Sequence, residues 1–193
     1  MIEKFVELFQ VSIEYNSRLV DEHPFKSNPQ SWPLMLRGIS FWDKSQNQQR
    51  IYLLGNIVCW WISISSVFIY TALLLLDRLA ERRGIKLFNA ESLQVLHKKG
   101  SIFYLAWIAH YIPFFFMQRS LYLHHYLPSL IFSFLVAATV YEFISCYVKK
   151  LAMKALLGAF LSSAVYVYWV FSPLVYGLSS DVPQWISSWD FSK

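Results

Sequence analysis

The chain has no Asn-x-Ser/Thr acceptor, only two cysteines and only six glycines among its 193 residues. Without an acceptor, no glycan mark tells which face of a membrane its loops occupy. Cys59 and Cys146 each sit inside an apolar run. Both read as small buried hydrophobes, and a disulfide between them is not expected. Charge is scarce as well: 15% of residues are charged against 56% hydrophobic, with a mean hydropathy of +0.37. That balance is far from a soluble domain and reads as an integral membrane protein. The net charge is +5, but Lys and Arg stand in short clusters beside long apolar runs. Such clusters are topology signals, not a face that tracks phosphates, and a nucleic-acid partner is set aside.

The first residues lack the short basic region and apolar core of a cleavable signal peptide. Instead Ile2, Phe5, Phe9 and Ile13 recur at spacings of three and four, with Glu3, Lys4, Glu7, Glu14 and Arg18 on the other side. Residues 1–20 therefore predict an amphipathic helix that lies on a membrane surface or packs against another domain.

Residues 21–50 change character. Pro24, Pro29 and Pro33 fall within ten residues and break any regular helix. Trp32, Phe41 and Trp42 are rings of the kind that settle at a polar-apolar boundary. The stretch predicts an ordered aqueous loop that either roofs a site or anchors the chain at the interface.

Four membrane spans are predicted, at about 51–76, 101–117, 127–148 and 155–178, within an all-α module. The second is short, and Pro113 is expected to kink or end it. Arg78, Arg82, Arg83, Lys86, Lys98 and Lys99 lie between the first two spans, and Lys149, Lys150 and Lys154 between the last two. By the positive-inside rule both loops are cytosolic, which places both termini, including the tail 179–193 with Trp185 and Trp189, on the opposite side. A long N-terminal segment would then cross the membrane ahead of the first span, so a fragment or a product of a longer reading frame is the expectation.

On that opposite side, Arg119 precedes the run Leu121 to Pro128, which holds His124 and His125 between two apolar segments. A cation and imidazoles at a membrane boundary call for water or for an anionic partner. A metal site is disfavoured, because adjacent histidines come with no third ligand at helical spacing. His110, beside Trp107 and Tyr111, reads as a packing residue; Tyr166, Tyr168, Trp169 and Phe171 read as lipid-facing or helix-packing.

Several words of the sequence resemble one family. His23-Pro24-Phe25, Ser31-Trp32-Pro33, Arg37-Gly38-Ile39-Ser40-Phe41-Trp42, Tyr52 to Asn56, His110 to Phe115 and Leu123 to Pro128 follow in the order seen in the C-terminal region of eukaryotic protein O-mannosyltransferases. The likeness covers about residues 2–177. It implies an endoplasmic reticulum glycosyltransferase that moves mannose from dolichyl phosphate mannose to Ser or Thr of secretory proteins and works as a dimer with other mannosyltransferase chains. Its last four spans form a module behind a lumenal MIR domain, and both termini here would be lumenal.

The chain departs from the family's full pattern in two ways: nothing matches the loop that carries the family's catalytic acidic pair, and nothing matches the MIR domain. Glu142 is the one carboxylate inside a predicted span, toward its cytosolic half, and Asp21, Glu22, Asp43, Asp181 and Asp190 read as loop acids. No catalytic residue is therefore assigned, and the chain alone is expected to be inactive, with no cofactor of its own. What the resemblance leaves for it is the donor phosphate: Arg119 as the permanent cation, His124 and His125 as donors to phosphate or sugar oxygens, and Tyr122 and Tyr126 flanking them. The other reading is a non-catalytic membrane partner of mannosyltransferase chains. A proton-path transporter through Glu142 is disfavoured, since the acid and the histidines lie near opposite ends of their span.

Overall fold

The computed structural model describes residues 2–18, 20, 25–36, 38–44 and 49–178. Asp21, Glu22, His23, Pro24, Arg37 and the tail 179–193, with Trp185, Trp189, Asp181 and Asp190, lie outside the described residues.

The chain opens with helix α1, Ile2–Arg18, followed by a 3-10 turn at Pro29–Ser31. Two antiparallel strands come next, β1 Ile39–Lys44 and β2 Gln49–Leu53, with an irregularity in register between Ser40 and Trp42. Helix α2 runs Ile57–Arg82 and the short α3 Ala90–Gln94. A π-helical stretch, Val95–Gly100, leads into α4, Ser101–Tyr111, which tightens into a 3-10 helix at Ile112–Phe116. A second 3-10 turn, Leu123–Tyr126, opens α5, Leu127–Ser145, and α6 closes the described chain at Lys150–Val175.

Local chemistry sets several of these boundaries. The Asn56 side chain accepts from the Cys59 N–H at 3.2 Å and caps α2, so the helix begins at Ile57 and the residues before it pair as β2. The span expected from residue 51 therefore starts six residues later, and part of the expected loop is a hairpin. Helix α2 also continues past Asp77 to Arg82, where Gly84, at φ +70°, turns the chain. Asn89 caps α3 in the same way, accepting from the Ser92 N–H at 2.8 Å. Pro128 sits in the first turn of α5, where its missing N–H costs nothing. Helix α6 starts at Lys150, ahead of the expected residue 155.

Among the described residues three helices are long and apolar enough to cross a membrane: Ile57–Arg82, Leu123–Ser145 and Lys150–Val175. The expected short span is built from three helical types in series, residues 95–116, and Pro113 ends its α-helical part as anticipated. The π turn is held from outside: the Tyr70 hydroxyl donates to the Leu96 carbonyl at 2.6 Å. Its ring lies where a Cβ on Gly100 would stand, 2.4 Å from that position.

Helices α2, α4 and α5 form the packed centre, with α6 set against α2 and β2. Ser63, Ser129, Ser133 and Thr139 are buried along the α2 and α5 faces, small residues that let the backbones approach. Two apolar clusters fill the centre. One joins Ile64, Val67, Tyr70, Leu96, Val136, Val140 and Phe143 toward the basic end. The other, at the end that carries the 25–36 loop, joins Trp32, Met35, Trp60, Tyr111, Tyr126 and their neighbours.

At the basic end His97 Nε2 meets Asp77 Oδ2 at 2.7 Å, and Lys99 Nζ meets Glu142 Oε1 at 2.5 Å. Glu142, the intramembrane carboxylate of the sequence, is thus a half-exposed partner of a loop lysine.

Candidate functional site

The loop 25–36 is fastened to the helical centre by its rings and backbone. The Trp60 indole donates to the Trp32 carbonyl at 2.7 Å, the Trp61 indole to the Leu34 carbonyl at 3.0 Å and the Tyr111 hydroxyl to the Pro29 carbonyl at 2.8 Å. The Trp32 indole, itself fully buried, donates to Ser27 Oγ at 2.9 Å, and the Ser27 N–H donates to the Leu121 carbonyl at 2.9 Å. Burying one polar group on each partner and pairing them leaves the loop with a single placement. Gly55 makes room for this lock: a Cβ there would lie 2.2 Å from the Trp60 ring.

Between this loop and the segment 114–121 lies a cleft of about 330 Å³. One wall is Lys26 to Gln30; the other holds Phe114, Phe115, Gln118 and Arg119. Two cations and three amides thus line a space floored by aromatic rings.

Arg119 is half-buried at the cleft edge. Its Nη1 donates to Asn16 Oδ1 and its Nη2 to His125 Nε2 at 2.5 Å. Its Nε is buried without a hydrogen-bond partner, and no carboxylate among the described residues pairs with it. A buried donor on a permanent cation is costly to leave unmade, which marks the place for an anionic acceptor.

The guanidinium also fixes the state of His125. Arginine has no acceptor, so His125 Nε2 accepts, and its proton sits on Nδ1, 3.0 Å from the Tyr122 carbonyl. In that tautomer the 3.1 Å approach of the Tyr122 N–H to Nδ1 is a contact and not a hydrogen bond.

The five predicted site residues divide. Arg119, His125, His124 and Tyr122 come together: the His124 ring stacks on His125 at 4.4 Å and on Tyr122 at 5.6 Å. The pair sits in a 3-10 turn, whose three-residue repeat sets His125 over Tyr122, and the His124 ring lies across both. Trp32 extends the stack, 6.2 Å from His125 with planes 14° apart. Tyr126 does not join it. Its side chain is fully buried, edge-on to Tyr111 at 5.2 Å, with its hydroxyl accepting from the Trp107 indole at 3.3 Å. His110 is exposed, 4.9 Å from the Phe132 ring, with Nδ1 2.9 Å from the Ala106 carbonyl.

Sequence reasoning missed Lys26, Asn28, Gln30 and Gln118 as cleft residues and Asn16 as a partner of Arg119. Only the tertiary lock of Trp32 brings Lys26 to Arg119's side, and spacing carries no trace of it.

The fold is that of a polytopic helical membrane module with a cleft of basic and amide side chains at one end. Residues 1–189 match the family model described as the C-terminal four TMM region of protein-O-mannosyltransferase. The chain belongs to the protein O-mannosyltransferase family. It is 33% identical over 199 residues to dolichyl-phosphate-mannose--protein mannosyltransferase 1 of Saccharomyces cerevisiae, covering 99% of this chain and 24% of that protein. It is 38% identical over 127 residues to mannosyltransferase 4 of Schizosaccharomyces pombe, covering 66% of this chain and 16% of that one. The structure of the S. cerevisiae protein O-mannosyltransferase Pmt1-Pmt2 complex bound to the sugar donor matches with a TM-score of 0.88 and 32% identity, over all of this chain and 27% of that one. The chain spans between 16% and 27% of the length of these relatives.

Proposed function

We propose that this chain is the donor-side membrane module of a protein O-mannosyltransferase of the endoplasmic reticulum membrane. In that reading the cleft faces the lumen and receives the phosphate of dolichyl phosphate mannose. The observation that carries it is the Arg119 Nε, buried and unpartnered on a cation that no described carboxylate neutralises. The guanidinium takes a phosphate oxygen, Lys26 adds a second positive charge to the cleft, and Asn28, Gln30 and Gln118 of the same lining offer amides to sugar hydroxyls. As the bond from mannose to phosphate oxygen breaks, negative charge grows on the departing dolichyl phosphate, and these cations stabilise it. The base that takes the acceptor hydroxyl proton comes from outside these residues, so the chain by itself transfers no mannose.

In the complete enzyme in microsomes, Arg119→Ala is expected to raise the donor KM at least tenfold and to leave the acceptor KM within twofold. Equal donor KM in wild type and variant would remove Arg119 from the donor site.

A second reading, a non-catalytic partner of mannosyltransferase chains, has its own support in α6. That helix exposes Leu157, Leu161, Val165, Tyr166 and Trp169 along one side, enough apolar surface to pack on another chain's spans. The Arg119 experiment separates the two, since a scaffold tolerates loss of that side chain.

A further inference from the structure

Helix α1 is amphipathic, yet its apolar side stands exposed among the described residues. Ile2 is 80% exposed, Phe5 71%, Phe9 60% and Ile13 55%, and the Phe5 and Phe9 rings stack on each other 6.4 Å apart. A continuous apolar stripe of this kind marks a surface made for a partner.

The Asn16 bond to Arg119 says which way that stripe points. At 100° per residue, Asn16 lies within about 60° of Ile2, Phe5, Phe9 and Ile13, and Glu3, Glu7 and Glu14 lie at least about 140° away from it. The apolar side of α1 therefore turns toward Arg119. That residue lies between the 3-10 end of the α4 segment and the start of α5, where the apolar helices emerge. Three helices of the bundle are long and apolar enough to cross a membrane, and a bilayer around them would have its surface near that level.

We propose that α1 rests in the plane of the bilayer surface, with Ile2, Phe5, Phe9 and Ile13 in the lipid and the glutamates in water, and that Asn16 thereby holds Arg119 over the cleft. The charges exclude electrostatic capture by acidic lipid: three glutamates outnumber Lys4 and Arg18 on this helix. Binding rests on apolar insertion and so needs no anionic headgroup. Asn16 is a positioning residue: it accepts from Nη1 while His125 accepts from Nη2, and the two acceptors fix the guanidinium with its buried Nε N–H and the remaining Nη hydrogens still able to donate. This second part rests on the donor-site reading of Arg119; the placement of α1 does not.

The placement is tested by spin labels on Phe9→Cys and Glu7→Cys, with Cys59 and Cys146 replaced by alanine, in the full chain reconstituted in phosphatidylcholine nanodiscs. The label at position 9 is expected to be reached by oxygen and shielded from a water-soluble nickel chelate, and the label at position 7 to show the reverse. Equal access of the chelate to both overturns the proposal. Shielding of position 9 from both reagents also overturns it, and assigns the stripe to a protein surface.

The positioning role is read in the complete enzyme. Asn16→Leu is expected to raise the donor KM about tenfold, and Asn16→Gln, which keeps a neutral amide acceptor, to recover most of it. A donor KM unmoved by Asn16→Leu but raised by Arg119→Ala refutes the coupling and leaves the donor site standing. A KM that neither change moves refutes the donor site itself.

Discussion

Arg119 Nη2 lies 2.5 Å from His125 Nε2, a pairing in which a permanent cation uses a neutral imidazole as its acceptor. Two consequences follow for the site. The imidazole spends its lone pair on orienting the guanidinium, and it brings no negative charge to Arg119, which no carboxylate among the described residues pairs with. A carboxylate in the same place would orient the guanidinium equally well and cancel the field that the proposed donor phosphate would need. His124 has a different part: it is exposed, stacked on His125, and forms the outer face of the ring column.

Replacing His125 separates orientation from charge. His125→Leu removes the acceptor; a hydrogen bond to a charged group is worth roughly 1.5–3 kcal/mol, or about tenfold to a hundredfold in an equilibrium constant. The donor KM is expected to rise by that factor. His125→Gln offers an amide oxygen at similar reach and is expected to recover most of the loss. Equal donor KM for the Leu and Gln variants would mean that the imidazole acts through packing alone.

Tyr126 carries the opposite expectation. Its ring is enclosed by Trp32, Trp60 and Tyr111, and its hydroxyl serves the Trp107 indole. Tyr126→Phe is expected to cost about 1 kcal/mol of stability through the lost acceptor, read as a lowered midpoint of thermal unfolding in detergent, with the donor KM unchanged. A raised donor KM in a variant of unaltered stability would return Tyr126 to the site.

The sequence carried the helical membrane class and the amphipathic opening helix, because apolar length, periodicity and charge clustering are local properties. Arg119 and the histidines were legible for the same reason: ionisable groups stand out between apolar runs. The hairpin of β1 and β2 was not, since Ile51 to Leu54 reads as a continuation of the apolar run and only the Asn56 cap separates them. Nor was the difference between Tyr122 and Tyr126. Spacing on an α-helix put both beside the histidines, and the 3-10 turn together with the Trp32 lock turned one outward and sealed the other in. Lys26 reaches the cleft through contacts that span nearly half of the chain, which no local pattern encodes.

The glycines test the lock that shapes the cleft. A Cβ on Gly55 would stand 2.2 Å from Trp60 and 2.9 Å from Met35 Sδ, and one on Gly100 would stand 2.4 Å from Tyr70, while Gly158 has nothing within 4 Å. Gly55→Ala and Gly100→Ala are each expected to destabilise the protein by about 1–3 kcal/mol, since a buried ring would have to move aside. Gly158→Ala lies on an open helix face and is expected to be neutral or to stabilise by up to about 1 kcal/mol. The two damaging changes differ in reach. Displacing Trp60 loosens its hold on the Trp32 carbonyl and with it the wall that carries Lys26, so Gly55→Ala is expected to raise the donor KM in the complete enzyme. Gly100 lies in the π turn of the basic end, so Gly100→Ala is expected to lower stability by a similar amount and leave the donor KM within twofold. Equal effects of the two on donor KM would show that global loosening, not the Trp60 to Trp32 contact, governs the cleft.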